Sequence, residues 1–402
     1  MARMRVAIVG GCLQGIEATY LCSKAAFETI LLDSDPNPPA KGLANAFHKI
    51  DVIEKPHRAK KVLRGCDVVL PATENKKALS ILQKLCRGLR IPFMQDNAAF
   101  WITSNKTKSM EFLRRSKIPT PKAWPKSGFP VIVKPSSKSG SQSVYRADDK
   151  HELKKTLKLV RAVDPTAVIQ EFIEGQALSL EIVSRKGVGR PLQITGLEFD
   201  DRYGCKRVHA PVEIPSETEQ TLNMIGLETA SNLGLNGLTD VQALLDGSTP
   251  RVNEINARFP SQTPTVVYHS TGINIAELLV KLFVEDRLEP IEIEPKRAVL
   301  YQHVKLGGRE LRVQGEHMMA DAVGLKLRKN FLGADEAITN LRLGSNTKDR
   351  VATLIVESHN LRSAFRKMAD VVGNIMNEYN LNQYIDISPT RGTGSFDSTE
   401  DH

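Results

Sequence analysis

The first hundred residues constrain the chain most, because short apolar segments alternate there with segments of helical periodicity. Residues 5–9 read as a strand, 15–26 as a helix and 29–32 as a second strand ending at Asp33. A helix over 55–64, a strand over 68–70, a helix over 75–87 and a strand over 92–94 follow. Such alternation predicts a parallel sheet covered by helices, since parallel strands need long crossover connections.

A second block begins near Trp101. Residues 105–116 are helical, and Ile118-Pro119-Thr120-Pro121 ends that helix because proline cannot continue it. Strands are expected over 131–134 and 143–146, a charged helix over 150–163, and strands over 167–171, 178–184, 192–197, 239–245 and 251–256. Ser216 with Glu219 reads as a capping box opening a helix that runs to Leu233. The tail 389–402 is rich in Ser, Thr, Gly and Asp, a composition that predicts disorder.

With 402 residues there is material for two or three domains, and 41% hydrophobic with 25% charged residues is ordinary for a soluble globular protein. The N-terminus enters a strand directly, so no signal peptide is expected, and no apolar run approaches a membrane span. Five cysteines without a CxxC pair read as reduced thiols of a cytoplasmic protein. The formal net charge is +9, but the basic residues are scattered and aromatics make up only 5%. That pattern argues against nucleic-acid binding and suits attraction of small anions.

Four motifs carry chemistry. Val9-Gly10-Gly11-Cys12-Leu13-Gln14-Gly15 is a glycine-rich strand-to-helix turn, but Cys12 stands where a dinucleotide fingerprint has its second glycine. Tight-turn glycines, or a helix N-terminus that holds a small carboxylate, are the other readings. Lys134 ends the apolar run Pro130-Val131-Ile132-Val133, where an ammonium needs an anionic partner, and the loop 136–143 offers amides and hydroxyls for phosphate oxygens. Gln170-Glu171-Phe172-Ile173 is a strand end able to read an adenine edge. Strongest is Asp240 with Val252-Asn253-Glu254-Ile255-Asn256-Ala257-Arg258. Side chains two apart in a strand face one way, so Glu254 and Asn256 project together and offer Mg²⁺ oxygen ligands, with Arg258 beyond.

In this order the motifs resemble the ATP-grasp superfamily. That likeness implies an α/β, three-domain fold with a Rossmann-like N-terminal domain. Its expected divisions are 1–100 as an amino-acid-binding domain, 101–180 as the small central domain and 181–388 as the C-terminal ATP-grasp domain. It also implies ATP held by Lys106, Lys134, Ser139, Gly140, Ser141 and the hinge Gln170, Glu171, Phe172 and Ile173. Mg²⁺ would sit on Asp240, Glu254 and Asn256, with Lys134 and Arg258 catalytic. Ala177 stands where many members carry a ribose-binding acid, with Glu174 a substitute.

A narrower likeness lies in Gly10-Gly11-Cys12-Leu13-Gln14-Gly15, Pro71-Ala72-Thr73-Glu74-Asn75, Ser179-Leu180-Glu181 and the run from Arg258 to Asn274. These segments resemble the family of pyrrolysine-biosynthesis ligases, which join 3-methyl-D-ornithine to the ε-amine of L-lysine and release ADP and phosphate. The resemblance implies a lysine site at Leu13, Gln14 and Glu74. It places 3-methyl-D-ornithine, or D-ornithine, against Ser179, Glu181, Arg258, Ser261, Gln262, Thr263 and Thr265. It leaves a homodimer open. Another amino-acid or purine-pathway ligase of the same superfamily, a dinucleotide-binding dehydrogenase and a non-catalytic nucleotide-binding regulator are the competing readings. The C-terminal hundred residues match the family less well and carry no functional inference.

Overall fold

The computed structural model describes residues 3–342 and 350–389. The tail expected to be disordered therefore falls, Pro389 apart, outside the described residues.

The N-terminal unit is built from β1 (Arg5–Val9), α1 (Leu13–Lys24), β2 (Glu28–Asp33), β3 (Ala46–Lys49), α2 (Pro56–Leu63), β4 (Val68–Pro71) and α3 (Lys76–Leu89). Its four strands lie in the order β3-β2-β1-β4, with all pairings parallel. Val6 to Val9 and Val68 to Pro71 are buried, as expected of a sheet covered on both faces. The strand expected at 92–94 is reduced to a bridge between Val69 and Phe93, and β3 was not anticipated.

Two helices follow, α4 (Asn97–Thr103), which was not anticipated, and α5 (Lys106–Arg115). Asp96 and Asn105 cap them with side-chain acceptors. Ala99, Met110, Leu113 and Ile118 share a core with Leu178, Leu180, Val241 and Ile255 of the large sheet. A small antiparallel sheet comes next, of β5 (Val131–Pro135), β6 (Tyr145–Ala147) and β7 (Ala167–Glu171), backed by α6 (Lys150–Val163). Its core consists of Val131, Val133, Ala147, Leu153 and Val160, separate from the other clusters.

The large unit holds β8 (Ala177–Arg185), β9 (Val188–Phe199), β10 (Cys205–Ala210), α7 (Ser216–Leu233), β11 (Gly237–Asp246), β12 (Thr249–Asn256), α8 (Thr263–Thr271) and α9 (Ile275–Val284). It continues through β13 (Ala298–Gly307), β14 (Glu310–Val313), α10 (His317–Ala320), β15 (Lys326–Phe331), β16 (Ala334–Thr339), β17 (Arg350–Ser358), α11 (Leu361–Glu378) and β18 (Gln383–Asp386). Eleven strands of the described residues form one sheet, whose main path runs β12-β11-β8-β9-β10-β13-β17-β16-β15. The C-terminal hundred residues thus extend the sheet that carries the expected ATP motifs.

The capping box at Ser216 does not form. Pro215 precedes the helix, no side chain caps it, and the Glu219 amide donates to the Pro215 carbonyl. The N-terminal and large units share a core in which Ile16, Tyr20 and Leu21 of α1 join Val266, Val267 and Ile275 of α8 and α9.

Candidate active site

A cavity of about 430 Å³ opens between the small sheet and the large one. Lys134, at the end of β5, is buried, and its Nζ donates to the Asn253 carbonyl at 3.2 Å. Burial pulls its pKa down to about 8 and nearby Lys106 adds to the fall, while Glu254 opposes it. Lys106 opens α5, whose first turn is anchored by the Asn105 side chain and by Ser136. Its Nζ donates to the Lys138 carbonyl at 2.6 Å and pairs with Glu254 at 3.4 Å. Gln170, Glu171, Phe172 and Ile173 line the same cavity, with Leu178, Leu197 and Leu244 supplying apolar surface. Of the three loop residues expected at ATP, Ser141 lines this cavity, whereas Ser139 and Gly140 do not. The Gly140 carbonyl instead meets His317 Nε2, which closes the loop onto the large unit.

Strand register assembles the carboxylates. In the β11–β12 hairpin Asp240 lies opposite Asn256 and Gln242 opposite Glu254, and on its other side β11 sets Asp240 opposite Glu181 of β8. Cross-strand partners share a face, so these side chains converge. Asp240 Oδ2 accepts from Gln242 Nε2 at 2.9 Å and from Asn256 Nδ2 at 3.4 Å. Asp240 Oδ1 is buried with no hydrogen-bond partner, 3.8 Å from Arg258. Burial raises Asp240, with Arg258 opposing the rise. Burial would also raise Glu254, but Lys106, Lys134 and Arg258 outweigh it and hold that carboxyl below its ordinary range. Among the described residues no three His, Cys, Asp or Glu side chains form a metal cluster by themselves. Two carboxylates and an amide suit a cation that takes its remaining ligands from phosphates and water.

The glycine-rich turn reaches the same place from the other side. Gly10 has φ +106°, and a Cβ there would meet the Ala72 carbonyl oxygen at 2.3 Å. Only glycine allows β1 and β4 to approach this closely. Asp33 accepts from the Gly11 amide at 2.6 Å and from Asp35, so it tightens the turn where a dinucleotide enzyme would use it for ribose. No side chain caps α1 at Cys12, and the amides of its first turn, Leu13 and Gln14 among them, have no intrahelical partner. Gln14 Nε2 donates to Glu74 Oε1 at 3.0 Å, and Arg258 Nε donates to that oxygen at 3.1 Å. Glu74 therefore joins the N-terminal turn to the cluster of the large unit.

Ser179 and Glu181 are fully buried on β8, and Ser179 Oγ donates to Glu181 Oε1 at 3.2 Å. Burial and the neighbouring Asp240 charge lift Glu181 to about 7, and its Oε2 has no partner. Ser261 donates to Glu316 at 2.6 Å, while Gln262 reaches Glu316, His303 and the Cys205 carbonyl. Thr263 and Thr265 bury hydroxyls without partners, and the Thr265 amide donates to Glu17 Oε1 at 2.6 Å.

Sequence reasoning missed Glu17, Gln242, Glu316 and His317, and also Glu198 and His209, which line the cavity. A signal existed for two of them. Glu17 is a lone acid in the apolar face of α1, and Gln242 lies two residues after Asp240, on the same face. The rest sit on strands or at the start of the short α10, whose placement no local pattern reveals.

An ATP-grasp domain family matches residues 103–262. The 3-methyl-D-ornithine–L-lysine ligase of Methanosarcina barkeri is 34% identical over 305 residues, covering 75% of this chain and 80% of the relative. That of Methanosarcina acetivorans is 33% identical over 304 residues, covering 75% and 79%. The chain belongs to this ligase family. It is an ATP-grasp carbon–nitrogen ligase, which sets aside the dehydrogenase and regulator readings. The fold of the family extends to an L-amino acid ligase from Bacillus licheniformis, at TM-score 0.67 and 19% identity over 93% of this chain and 98% of that one. No helix among the described residues is long and apolar enough to cross a membrane.

Proposed function

We propose that the protein couples ATP cleavage to joining the carboxylate of 3-methyl-D-ornithine, or of D-ornithine, to the ε-amine of L-lysine. The single observation that carries this reading is Glu74, whose one oxygen takes Gln14 of the N-terminal turn and Arg258 of the ATP-grasp unit. An amino acid gripped at that turn lies beside the phosphate cluster. Its carboxylate would face the first-turn amides of α1 and its α-ammonium Glu74, so its side chain points toward Arg258.

ATP fits the cavity with its base along Gln170–Ile173 and its phosphates toward Lys106, Lys134 and Ser141. Glu174 and Glu198 both line the cavity, and either acid would supply a carboxylate to the ribose, given Ala177, Glu198 while paired with Arg207. Asp240, Glu254 and Asn256 would hold Mg²⁺, for which the unpartnered Asp240 Oδ1 is a ready ligand. Bound there, the ion supplies charge neutralisation to the phosphates.

The ornithine carboxylate attacks the γ-phosphorus, giving an acyl-phosphate and ADP. Arg258, half-buried and flanked by the carboxylates of Glu74 and Asp240, offsets charge on the phosphoryl group as it transfers. The lysine amine then attacks the acyl carbon and phosphate leaves. That amine starts near pKa 10.4 and Glu181 sits at about 7, so proton transfer in the free state is uphill by about 5 kcal/mol. Desolvation of the ammonium in the closed cleft narrows that gap.

Product analysis tests the reading. Mass spectrometry of a reaction containing ATP, lysine and D-ornithine should show an isopeptide on the ε-nitrogen, and lysine blocked at that nitrogen should be inert. An α-linked product would reject the proposed direction of lysine binding.

A further inference from the structure

Glu316 lies just before α10, in the C-terminal region that carries no sequence motif, yet it meets Ser261 and Gln262 of the segment expected at the donor amino acid. Its backbone amide donates to the Cys205 carbonyl at 3.1 Å. Ser261 Oγ and Gln262 Nε2 donate to one and the same oxygen, Oε2, at 2.6 and 3.1 Å. The other oxygen, Oε1, has no donor among the described residues, and no lysine or arginine there pairs with this carboxylate. His303 is the base within the same network. Burial drives it to about 3, so it is neutral and supplies no charge. Gln262, which aims its amide at Glu316, holds φ +76°, a conformation an L-residue adopts only when its surroundings enforce it.

A half-buried carboxylate, oriented by two donors and lacking a cation, is costly unless something positive meets it. We infer that Glu316 binds the distal ammonium of the amino acid whose carboxylate is activated, an assignment that rests on the ligase reading above. Position selects the distal group. Glu74 and Asp240 lie 3.1 and 3.8 Å from Arg258, whereas Glu316 forms no ion pair with it and is held at Ser261 instead. The reacting carboxylate must lie near Arg258, so an ammonium at the far end of the side chain is the one that reaches Glu316. Glu316 thereby selects a diamine donor over an apolar amino acid of the same length.

Calorimetric titration of the full chain with D-ornithine and with D-norvaline, which lacks the δ-amine, tests this. In the presence of a non-hydrolysable ATP analogue, the wild type should bind D-ornithine at least tenfold tighter. Glu316→Gln, which keeps a side-chain amide oxygen for Ser261, should abolish that preference while D-norvaline and nucleotide affinities stay put. Glu316→Asp should retain part of the preference. Equal binding of the two ligands by the wild type, or an undiminished preference in Glu316→Gln, would overturn the assignment. So would a parallel loss of nucleotide binding, which marks a structural role. If ligation to lysine fails while the preference and its loss in Glu316→Gln hold, the proposed reaction is wrong and Glu316 keeps its role.

Discussion

Replacing Glu254 by Gln removes one negative charge from a point on which three cations converge. Lys106 lies 3.4 Å away, and Lys134 and Arg258 both act on this carboxyl. At an effective dielectric of 20 the Lys106 pair alone is worth about 5 kcal/mol of attraction, most of it offset by desolvating the two partly buried groups. The free enzyme should therefore keep its fold, since glutamine fills the same space. Its cluster becomes more positive, so bare ATP should bind at least as well as in the wild type. Turnover behaves differently. With Glu254 goes one of the residues that would hold Mg²⁺, and loss of a stabiliser of this kind costs about a hundredfold or more in kcat, near 3 kcal/mol. Coupled measurement of ADP release, alongside titration of ATP with and without Mg²⁺, separates binding from chemistry. A folded Glu254→Gln enzyme turning over within about threefold of wild type, under 1 kcal/mol, would refute the reasoning.

Three further expectations follow from the same geometry. Glu74→Ala should raise the lysine KM ten- to a hundredfold, the scale of about 1.5–3 kcal/mol for a charged hydrogen bond. Because Glu74 also holds Arg258, kcat should fall with it, and an unchanged lysine KM would place the acceptor elsewhere. Lys134, with its pKa lowered to about 8 by burial, is charged below that pH and largely neutral above it. Bound phosphates favour the charged form, so ATP affinity should weaken between pH 7.5 and 9.5, with proton uptake near pH 8.5 seen by calorimetry in buffers of different ionisation heat. Absence of uptake, or its persistence in Lys134→Met, would contradict this. His317→Ala frees Gly140 and should raise ATP hydrolysis in the absence of lysine by roughly tenfold, the worth of one hydrogen bond. Unchanged idle hydrolysis would show that the contact does not seal the loop.

Local order determined much of this protein from sequence alone. The alternation of apolar strands with helices reports a parallel sheet, because a strand buried on both faces cannot be polar on either. Lys134 at the end of an apolar strand, and Glu254 and Asn256 two apart, reveal themselves through the period of the strand that carries them. Tertiary structure decided what those residues meet. Asp240 faces both Asn256 and Glu181 only because β11 pairs with β12 on one side and β8 on the other, in a register that no segment specifies by itself. Glu74 touches Arg258, 184 positions along the chain, because α1 packs on α8 and α9. Glu316 and His317, at the start of the short α10, meet Ser261, Gln262 and Gly140 across the chain, since their placement depends on β13 joining β10 and β17 in one sheet. Periodicity tells a side chain which way to face, whereas its partners are set by the long-range burial that brings distant faces together.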